Sequence, residues 1–204
     1  MKIGILGAGH IGGTLGRKWV AAGHEVRFGV RHTDKPEVVA LVDALGKRAA
    51  VGTASEAIDF GEVILFAIPG SAMEEMIATH GQALAGKIVI DAANRFGGGA
   101  AMNSADAFAR HAPDAQVFRA FNSLGWEIFG NPHFGDLQAD LFYCGPEGDA
   151  GATVEQLIGE VGVRPVRVGD LSQVGVVDGV LRLWFTLVSQ PGKGRHLAFK
   201  MLKR

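Results

Sequence analysis

The sequence predicts an α/β protein in which parallel strands alternate with helices. Through the first half of the chain, short apolar runs are each followed by a stretch with helical spacing. Glycine or proline marks most of the junctions, and glycine is unusually frequent, with 30 residues in 204 against a usual share of ~7%. Strands joined by helices of this length form right-handed crossovers, which produce a parallel sheet.

The elements of the first half follow from local patterns. Residues 2–6 form a short apolar run typical of a buried strand, and the helix that follows ends before Gly23. The second helix carries Pro36 in its first turn, and Pro69 stops the run at 63–68. The predicted strands are 2–6, 25–30, 49–51, 63–68 and 87–91, and the predicted helices are 11–22, 36–45, 55–60 and 72–84.

The second half is less regular, and its last helix is its clearest element. That helix has one apolar stripe through Val177 and Leu181 and another through Val176 and Leu183, which is typical of a helix buried on two faces. In a chain of this size, a second buried face suggests the interface of a homodimer. We expect strands at 116–118, 140–144 and 165–168, helices at 104–111, 153–161 and 171–189, and irregular structure at 94–99 and 125–135.

Composition excludes several classes of protein. Lys and Arg number 20 against 21 Asp and Glu, for a formal net charge of −1, which argues against a nucleic-acid binder. The 48% hydrophobic and 20% charged residues exclude a disordered or fibrous chain. The longest uninterrupted apolar run, 63–68, is far shorter than the ~20 residues of a transmembrane helix, so no membrane partner is expected.

Cysteine, histidine and the basic end of the chain give little sign of further chemistry. Cys144 is the single cysteine; it cannot form an internal disulfide, which suggests the cytoplasm, and its apolar neighbours predict a place in the core. The seven histidines show no zinc-site spacing, so we expect no metal. The basic residues near the end, among them Arg195 and Lys200, are expected to form a solvated face.

The motif that carries chemistry lies between the first strand and the first helix. Gly7, Gly9 and Gly12 form the pattern G-x-G-x-x-G, with His10 and Ile11 inside it. After an apolar strand and at the start of a helix, this pattern is typical of dinucleotide binding. The first glycine allows a tight turn, the second lets the backbone approach a pyrophosphate, and the third lets helix and strand pack closely.

These observations together predict a Rossmann-type, doubly wound parallel sheet with a small C-terminal extension that ends in a long apolar helix. We expect a dinucleotide-binding domain over residues 1–120 and a part for substrate binding or dimerisation over residues 121–204.

The end of the second strand selects the cofactor. NAD sites usually have an acidic residue there, bonded to the ribose hydroxyls, but this strand ends in Val30 and Arg31, with His32 and Lys35 close behind. Because a guanidinium matches a phosphate in charge and geometry, these residues predict NADP(H), with Arg31 on the 2′-phosphate.

Later strand ends supply further candidates, since open α/β sheets bind ligands outside the carboxyl ends of their strands. Ile68 and Pro69 end the fourth strand, where their backbone can pass under the ribose of the cofactor. Asn94 follows the fifth strand and can reach the nicotinamide end. An ordinary loop role would explain each of these residues as well.

With the glycine motif, the Gly29-Val30-Arg31 strand end and Ala67-Ile68-Pro69, the chain resembles the NADP oxidoreductases that depend on coenzyme F-420. The resemblance is best over residues 1–95. It continues more loosely through 120–126, where AFNSLGW looks like the AFN-x-x-GW stretch of the wider group of small dinucleotide-binding reductases. It implies an NADP-dependent oxidoreductase in which hydride passes directly between nicotinamide C4 and a deazaflavin held between the two parts of the chain.

The resemblance also suggests where an acceptor would bind. Phe121 and Trp126 are candidate aromatic walls for a flat ring, although aromatic residues serve equally as core. Asn122 is the candidate for a hydrogen bond to the acceptor or the nicotinamide, and no general acid or base is evident. The K-x-x-x-N pattern of hydroxyacid dehydrogenases is absent after residue 120, which argues against a hydroxyacid substrate.

Three functions are open at this point. The first is NADPH-dependent reduction of a deazaflavin or flavin. The second is NADPH-dependent reduction of a small carbonyl, imine or quinone, and the third is a non-catalytic NADP-binding sensor.

Overall fold

The computed structural model describes residues 1–96 and 101–204. The irregular loop expected at 94–99 therefore lies partly outside the described residues, since 97–99 are not among them. The chain forms two compact units, Met1–Val117 and Phe118–Arg204. From the sequence we expected the division after residue 120.

A sheet of six strands forms the frame of the first unit. Its strands are β1 (Lys2–Leu6), β2 (Glu25–Gly29), β3 (Ala49–Gly52), β4 (Val63–Phe66), β5 (Ile88–Asp91) and β6 (Gln116–Arg119), which extends past the end of the unit. Their order across the sheet is β3-β2-β1-β4-β5-β6. β1 pairs in parallel with β2 and β4, β2 with β3, and β4 with β5, which confirms the predicted parallel α/β sheet.

The register brings three strand ends together at one edge of the sheet. Leu6 of β1 lies opposite Gly29 of β2 and Phe66 of β4. After β3 the chain crosses to the other side of β1, so the strand order reverses between β1 and β4. Ligands of open α/β sheets bind outside the carboxyl ends of the strands at such a reversal.

Five helices connect these strands in the described part of the first unit. They are α1 (His10–Ala21), α2 (Pro36–Leu45), α3 (Ala54–Phe60), α4 (Met73–His80) and α5 (Ala105–His111). α3 begins with a capping box: the Glu56 N–H donates to the Thr53 hydroxyl at 3.2 Å, and the Thr53 N–H donates to the Glu56 carboxylate at 2.7 Å.

The single helix predicted at 72–84 is wrong. A 3-10 turn at Gly70–Ala72 leads into α4, and a second 3-10 turn follows at Gly81–Leu84. Gly81 packs against the His111 carbonyl so closely that a β-carbon would overlap the oxygen. This contact lies where the α-helical geometry ends, and the local apolar spacing gives no sign of it.

The core lies on both faces of the sheet. Ile3 and Ile5 of β1 are fully buried, and no residue of β4 is more than 1% exposed, which is the pattern of parallel strands covered by helices on both faces. The rings of Phe66 and Phe108 meet edge to face, with centroids 5.3 Å apart. This packing holds the strand ends, and the loops that follow them, in place.

The second unit contains a β-α-β arrangement of its own. Its elements after β6 are α6 (Trp126–Gly130), β7 (His133–Phe134), β8 (Leu137–Gln138), β9 (Asp140–Tyr143), α7 (Asp149–Val161), β10 (Arg164–Arg167) and α8 (Val174–Val188). β9 and β10 pair in parallel, and β7 and β8 form a short antiparallel hairpin. The irregular structure predicted at 125–135 is therefore wrong in part, because α6 and β7 lie there.

The two stripes of α8 differ in burial. Val177, Leu181 and Trp184 are at most 2% exposed, whereas Val176 and Leu183 are 51% and 50% exposed. One face of the helix therefore belongs to the core of the second unit, and the other stripe lies on the surface of the chain.

The stretch Leu171–Val188 is also long and apolar enough, by length and composition alone, to cross a membrane, and 22% of it is buried. The expectation of no membrane partner was based on uninterrupted apolar runs, and Asp178 and Arg182 interrupt this stretch. That expectation stays a prediction. In the folded unit, Asp178 accepts hydrogen bonds from Arg119 of β6.

Candidate dinucleotide-binding site

The turn between β1 and α1 has a backbone that requires glycine at Gly7. Its φ is +100°, a value that residues with a β-carbon avoid. The Gly7 N–H donates to the Gly29 carbonyl at 2.9 Å, and a β-carbon here would lie 2.5 Å from the Ala67 carbonyl oxygen. Gly7 therefore fixes the turn against the ends of β2 and β4.

Gly12 and Gly9 are glycine for different reasons. A β-carbon on Gly12 would overlap the Gly7 carbonyl oxygen and lie 3.1 Å from the Ile5 side chain, so glycine is needed for α1 to pack against β1. A β-carbon on Gly9 would meet no protein atom within 4 Å, and the φ of −75° suits any residue. Packing within the protein does not require glycine at this position, whereas close approach of a ligand would.

The N-terminus of α1 is open. Gly9 supplies no side-chain cap, and the first turn contains no acidic residue. The Gly9 carbonyl accepts a helical hydrogen bond from the Gly13 N–H at 2.7 Å, and the first amides of any helix have no acceptor within the helix itself. His10 is exposed and Ile11 half-buried in this turn. Amides and the positive end of the helix dipole together form a site for an anion.

Cations follow the end of β2. Arg31, His32 and Lys35 are all exposed, and Val30 is half-buried, with its N–H still donating to β3 at 3.0 Å. Asp34, an acidic residue that the sequence analysis did not weigh, is exposed in the same segment. The structure thus places two cations, Arg31 and Lys35, and one histidine, His32, just past the strand that pairs with the glycine turn.

The segments that follow β4 and β5 meet at the same edge of the sheet. A β-carbon on Gly70 would lie 2.6 Å from the carbonyl carbon of Asn94, so this contact between backbones requires glycine. Ile68 and Asn94 are half-buried, and Pro69 is exposed. All three predicted residues therefore lie at this edge. From the sequence, Gly70 was expected only to help Pro69 end the strand, and its close contact with the Asn94 backbone was not predicted.

Asp91 fixes the segment that carries Asn94. Its side chain, 2% exposed, accepts hydrogen bonds from the Ala93 N–H at 3.0 Å and from the Ser104 N–H at 3.2 Å. One carboxylate therefore holds both ends of the connection between β5 and α5. This role of Asp91 was not predicted, although an acidic residue at the end of an otherwise apolar strand is a signal for it.

The residues proposed for the acceptor lie in the second unit. Phe121 has a φ of +60°, and it is the one non-glycine residue with a positive φ in the described part of the chain. Such a backbone costs about 1–3 kcal/mol and is typical of functional segments. The Phe121 ring is 1% exposed and meets Phe129 edge to face at 5.5 Å. Asn122 is 3% exposed, whereas Trp126, at the start of α6, is 36% exposed.

A buried ion pair and a buried thiol lie elsewhere in this unit. Arg119 donates to the Asp178 carboxylate from Nε at 3.1 Å and from Nη2 at 2.9 Å, and the two side chains are 1% and 6% exposed. Burial raises the pKa of Cys144 to about 11, so this thiol is protonated at neutral pH and is unsuited to act as a nucleophile.

Across residues 1–96 and 101–204, no group of three or more His, Cys, Asp or Glu is arranged to hold a metal ion.

Comparison with known proteins finds a family match over the first part of the chain. Residues 2–95 match the family described as NADP oxidoreductase, coenzyme F-420-dependent. Metalloreductase STEAP3 from Rattus norvegicus is 29% identical over 187 residues, which cover 89% of this chain and 37% of that protein. The chain therefore spans little more than a third of the length of this relative.

Solved structures share the fold over nearly the whole chain. A candidate F-420-dependent NADP reductase from Arthrobacter sp. FB24 has a TM-score of 0.85 at 22% identity, with 100% of both chains covered. An imine reductase from Streptomyces aurantiacus has a TM-score of 0.70 at 18% identity, covering 92% of this chain and 61% of that one. A reductive aminase from Aspergillus terreus, in complex with NADPH and ethyl-5-oxohexanoate, has a TM-score of 0.63 at 20% identity, covering 92% and 63%.

These findings confirm the Rossmann-type fold and, over residues 2–95, the family resemblance that the sequence indicated. Over residues 2–95, the chain is similar to a family of NADP-dependent oxidoreductases. The acceptor of its hydride is a finer question.

Proposed function

We propose that the chain binds NADPH at the β1–α1 turn and transfers its hydride to a deazaflavin of the coenzyme F-420 type. The observation that carries the proposal is the pairing of an open glycine, Gly9, with the cations that follow β2. The first provides room for a pyrophosphate against the backbone. The second provides donors for the extra phosphate that distinguishes NADPH from NADH.

The residues present fit NADP(H) part by part. The glycine turn and the first turn of α1 would hold the pyrophosphate. The segment past β2 would hold the 2′-phosphate, and the segments after β4 and β5 would hold the ribose and the nicotinamide end. In the same order, these residues are Gly7, Gly9, His10, Ile11 and Gly12; then Val30, Arg31, His32 and Lys35; then Ile68, Pro69 and Asn94.

When bound, NADPH supplies a hydride from nicotinamide C4, and the deazaflavin takes up that hydride together with one proton from water. The protein forms no bond to either reactant in such a step, so its task is to hold the reacting atoms at ~3–3.5 Å and exclude competing reactions. We assign the acceptor contact to Trp126, which is 36% exposed, whereas Asn122 is 3% exposed and would support this segment from inside the second unit. Phe121 would contribute through its strained backbone, since its ring lies in the core.

The test is to mix the purified protein with NADPH and oxidised coenzyme F-420 and to follow the visible absorbance of the deazaflavin. Rapid bleaching that depends on both NADPH and protein is the expected result. Bound NADPH, detected by its fluorescence, without any bleaching would contradict the deazaflavin as acceptor and leave the cofactor site standing.

A second candidate is reduction of a small carbonyl, imine or quinone with the same cofactor. The likeness to an imine reductase and a reductive aminase is one of fold, and it gives a reason to include a cyclic imine in the same assay. Imine-dependent oxidation of NADPH without bleaching of coenzyme F-420 would favour this candidate.

We further propose that the chain acts as a homodimer through the exposed stripe of α8, and that it works in the cytoplasm. The single cysteine is buried and free, which suits a reducing compartment.

A further inference from the structure

A segment near the end of the chain, residues 195–201, is bound back onto the second unit; we call it the strap. At its first residue, Arg195 donates to the Glu127 carboxylate from Nε at 2.5 Å and from Nη2 at 3.3 Å. The Arg195 guanidinium carbon also lies 5.0 Å from the centre of the Trp184 ring. The Arg195 side chain is 48% exposed, as expected for a solvated face, and it also pairs with a residue that lies 68 positions away in the sequence.

A buried carboxylate holds the other end of the strap. Asp140 of β9 is fully buried, and it accepts hydrogen bonds from the Lys200 ammonium at 3.1 Å and the Met201 N–H at 2.6 Å. Arg164 of β10 donates to the same carboxylate at 2.7 and 2.6 Å. Between the two ends, the Trp184 indole donates to the Leu197 carbonyl at 2.7 Å. The strap is thus fixed at its start, its middle and its end.

The strap contacts the rest of the second unit at the first turn of α6. Glu127 directly follows Trp126, and Gly125 is the N-cap of the helix. A β-carbon on Gly125 would lie 3.1 Å from the Trp184 ring and 3.3 Å from the Arg195 guanidinium, so the turn is closely enclosed. α6 has only 5 residues, and a helix of that length does not hold its own conformation in water. Its orientation therefore depends on such tertiary contacts.

We propose that Arg195 is a positioning residue for the hydride acceptor: through Glu127 it fixes the first turn of α6 and thereby the orientation of the exposed Trp126 ring. This inference rests on the proposed function, in which Trp126 contacts the acceptor. Arg195 itself touches no reactant in this scheme. Its bidentate pairing with Glu127 is geometry that a lysine reproduces only in part.

The test compares three variants of the 204-residue chain. Arg195→Ala removes the contact, Arg195→Lys keeps the charge, and Lys193→Ala is the matched control, since it removes an exposed cation two residues away. Steady-state kinetics with oxidised coenzyme F-420 give KM and kcat, and fluorescence titration gives the Kd of NADPH. Hydrogen exchange follows the amides of Ile128 and Asn131, which donate to Gly125 and Glu127.

For Arg195→Ala we expect KM for coenzyme F-420 to rise about tenfold, the Kd of NADPH to stay within about twofold, and exchange to quicken at Ile128 and Asn131. Arg195→Lys should lie between Arg195→Ala and the wild type, and Lys193→Ala should match the wild type. An unchanged KM, or a parallel loss of NADPH affinity, would overturn the proposal.

The result also separates this inference from the proposed function. If the wild-type protein binds NADPH but does not reduce coenzyme F-420, the proposed acceptor is wrong. In that case the kinetic measurements are not informative, and hydrogen exchange alone tests whether Arg195 fixes α6. Unaltered exchange at Ile128 and Asn131 in Arg195→Ala would overturn this role of the strap.

Discussion

Gly9 and Gly12 belong to one motif, yet the structure assigns them opposite roles. Gly12 is required by the protein, because a β-carbon would overlap the Gly7 carbonyl oxygen, whereas the space at Gly9 is open. A motif match alone gives both residues equal weight. The geometry shows that the fold requires glycine at position 12 but not at position 9, where we propose that a ligand requires it.

We therefore expect Gly9→Ala to fold with a loss of no more than about 1 kcal/mol, the cost of replacing a glycine N-cap by alanine. It should weaken NADPH binding at least about tenfold, which is about 1.4 kcal/mol. Gly12→Ala should lose about 1–3 kcal/mol of stability from overpacking. Urea unfolding and NADPH fluorescence titration measure the two effects, and a Gly9→Ala protein that binds NADPH normally would contradict this role for Gly9.

Arg31 tests the choice between the two nicotinamide cofactors. Its guanidinium is exposed just past β2, and a hydrogen bond to a charged group contributes about 1.5–3 kcal/mol. Arg31→Ala should weaken NADPH binding by that amount and leave NADH binding nearly unchanged, as measured by calorimetry with both cofactors. Lys47→Ala, which removes another exposed cation, serves as the control. Equal losses for NADPH and NADH would remove Arg31 from the 2′-phosphate site.

At the scale of elements, the second unit is held by charges that are far apart in sequence. The pair of Arg119 on β6 with Asp178 on α8 spans 59 positions, and both side chains are almost fully buried. Removing one partner of such a pair leaves a buried charge without compensation, which costs about 3–5 kcal/mol. The attachment of α8 to β6 thus depends on this contact as well as on apolar packing.

Asp178→Ala should therefore lower the free energy of unfolding by about 3–5 kcal/mol. Asp178→Asn should lower it by less, because the amide oxygen still accepts a hydrogen bond from the guanidinium. Urea unfolding followed by circular dichroism measures both values. A loss below about 1 kcal/mol in Asp178→Ala would show that the pair is dispensable.

Asp140 makes the attachment of the strap sensitive to acid. Burial by itself raises the pKa of this carboxyl. Hydrogen bonds from Arg164, the Met201 N–H and Lys200 lower the pKa by more than burial raises it, so the pKa lies below its ordinary value. A carboxyl with a lower pKa in the folded state contributes stability above its unfolded pKa of ~3.9 and loses that contribution as the pH falls toward its folded pKa.

Asp140→Asn should accordingly be less stable than the wild type at neutral pH, and the difference should shrink as the pH falls from about 5 to about 3. Urea unfolding of both proteins across this range provides the measurement. A difference that is constant with pH would mean that ionisation of Asp140 does not contribute.

The elements that can be predicted from the sequence are those whose signal lies within the element itself. The apolar runs of β1 and β4 and the proline at the start of α2 predict their elements within one or two residues, because the signal lies inside the element. Gly81 and α6 were mispredicted, since a contact with His111 and the pairing of Glu127 with Arg195, 68 positions away, act on them. The glycine turn and the cations past β2 were placed at one edge of the sheet by local pattern alone.

At the scale of the whole molecule, the two units are organised differently. In the first, the residues that we predict to bind the cofactor directly follow the strand ends, and a parallel sheet sets where those ends lie. In the second, ion pairs join distant parts of the chain: Arg119 of β6 pairs with Asp178 of α8, and Arg195 pairs with Glu127 of the short helix α6. A cofactor site can therefore be predicted from local sequence. An acceptor site that depends on contacts between distant residues cannot be predicted in this way, and experiment has to identify the acceptor.

The exposed stripe of α8 bears on the assembly of the whole protein. Val176, Val180, Leu183 and Leu187 recur at helical spacing, and Val176 and Leu183 stay 51% and 50% exposed. Apolar surface left in water costs about 25 cal/mol per Å² relative to burial, and a contiguous exposed stripe is typical of a protein interface. A second copy of the same helix can cover such a stripe symmetrically, since a two-fold contact places one patch against itself.

We therefore expect light scattering after size exclusion to give about twice the 21.5 kDa of one chain. Leu183→Asp should convert the protein to a monomer, because the contact would then bury an unpaired carboxylate at its centre. Val39→Asp, a matched change at a residue of α2 that is 41% exposed, should leave the dimer intact. A wild-type monomer would exclude the dimer, and a Leu183→Asp dimer would show that α8 does not form the interface.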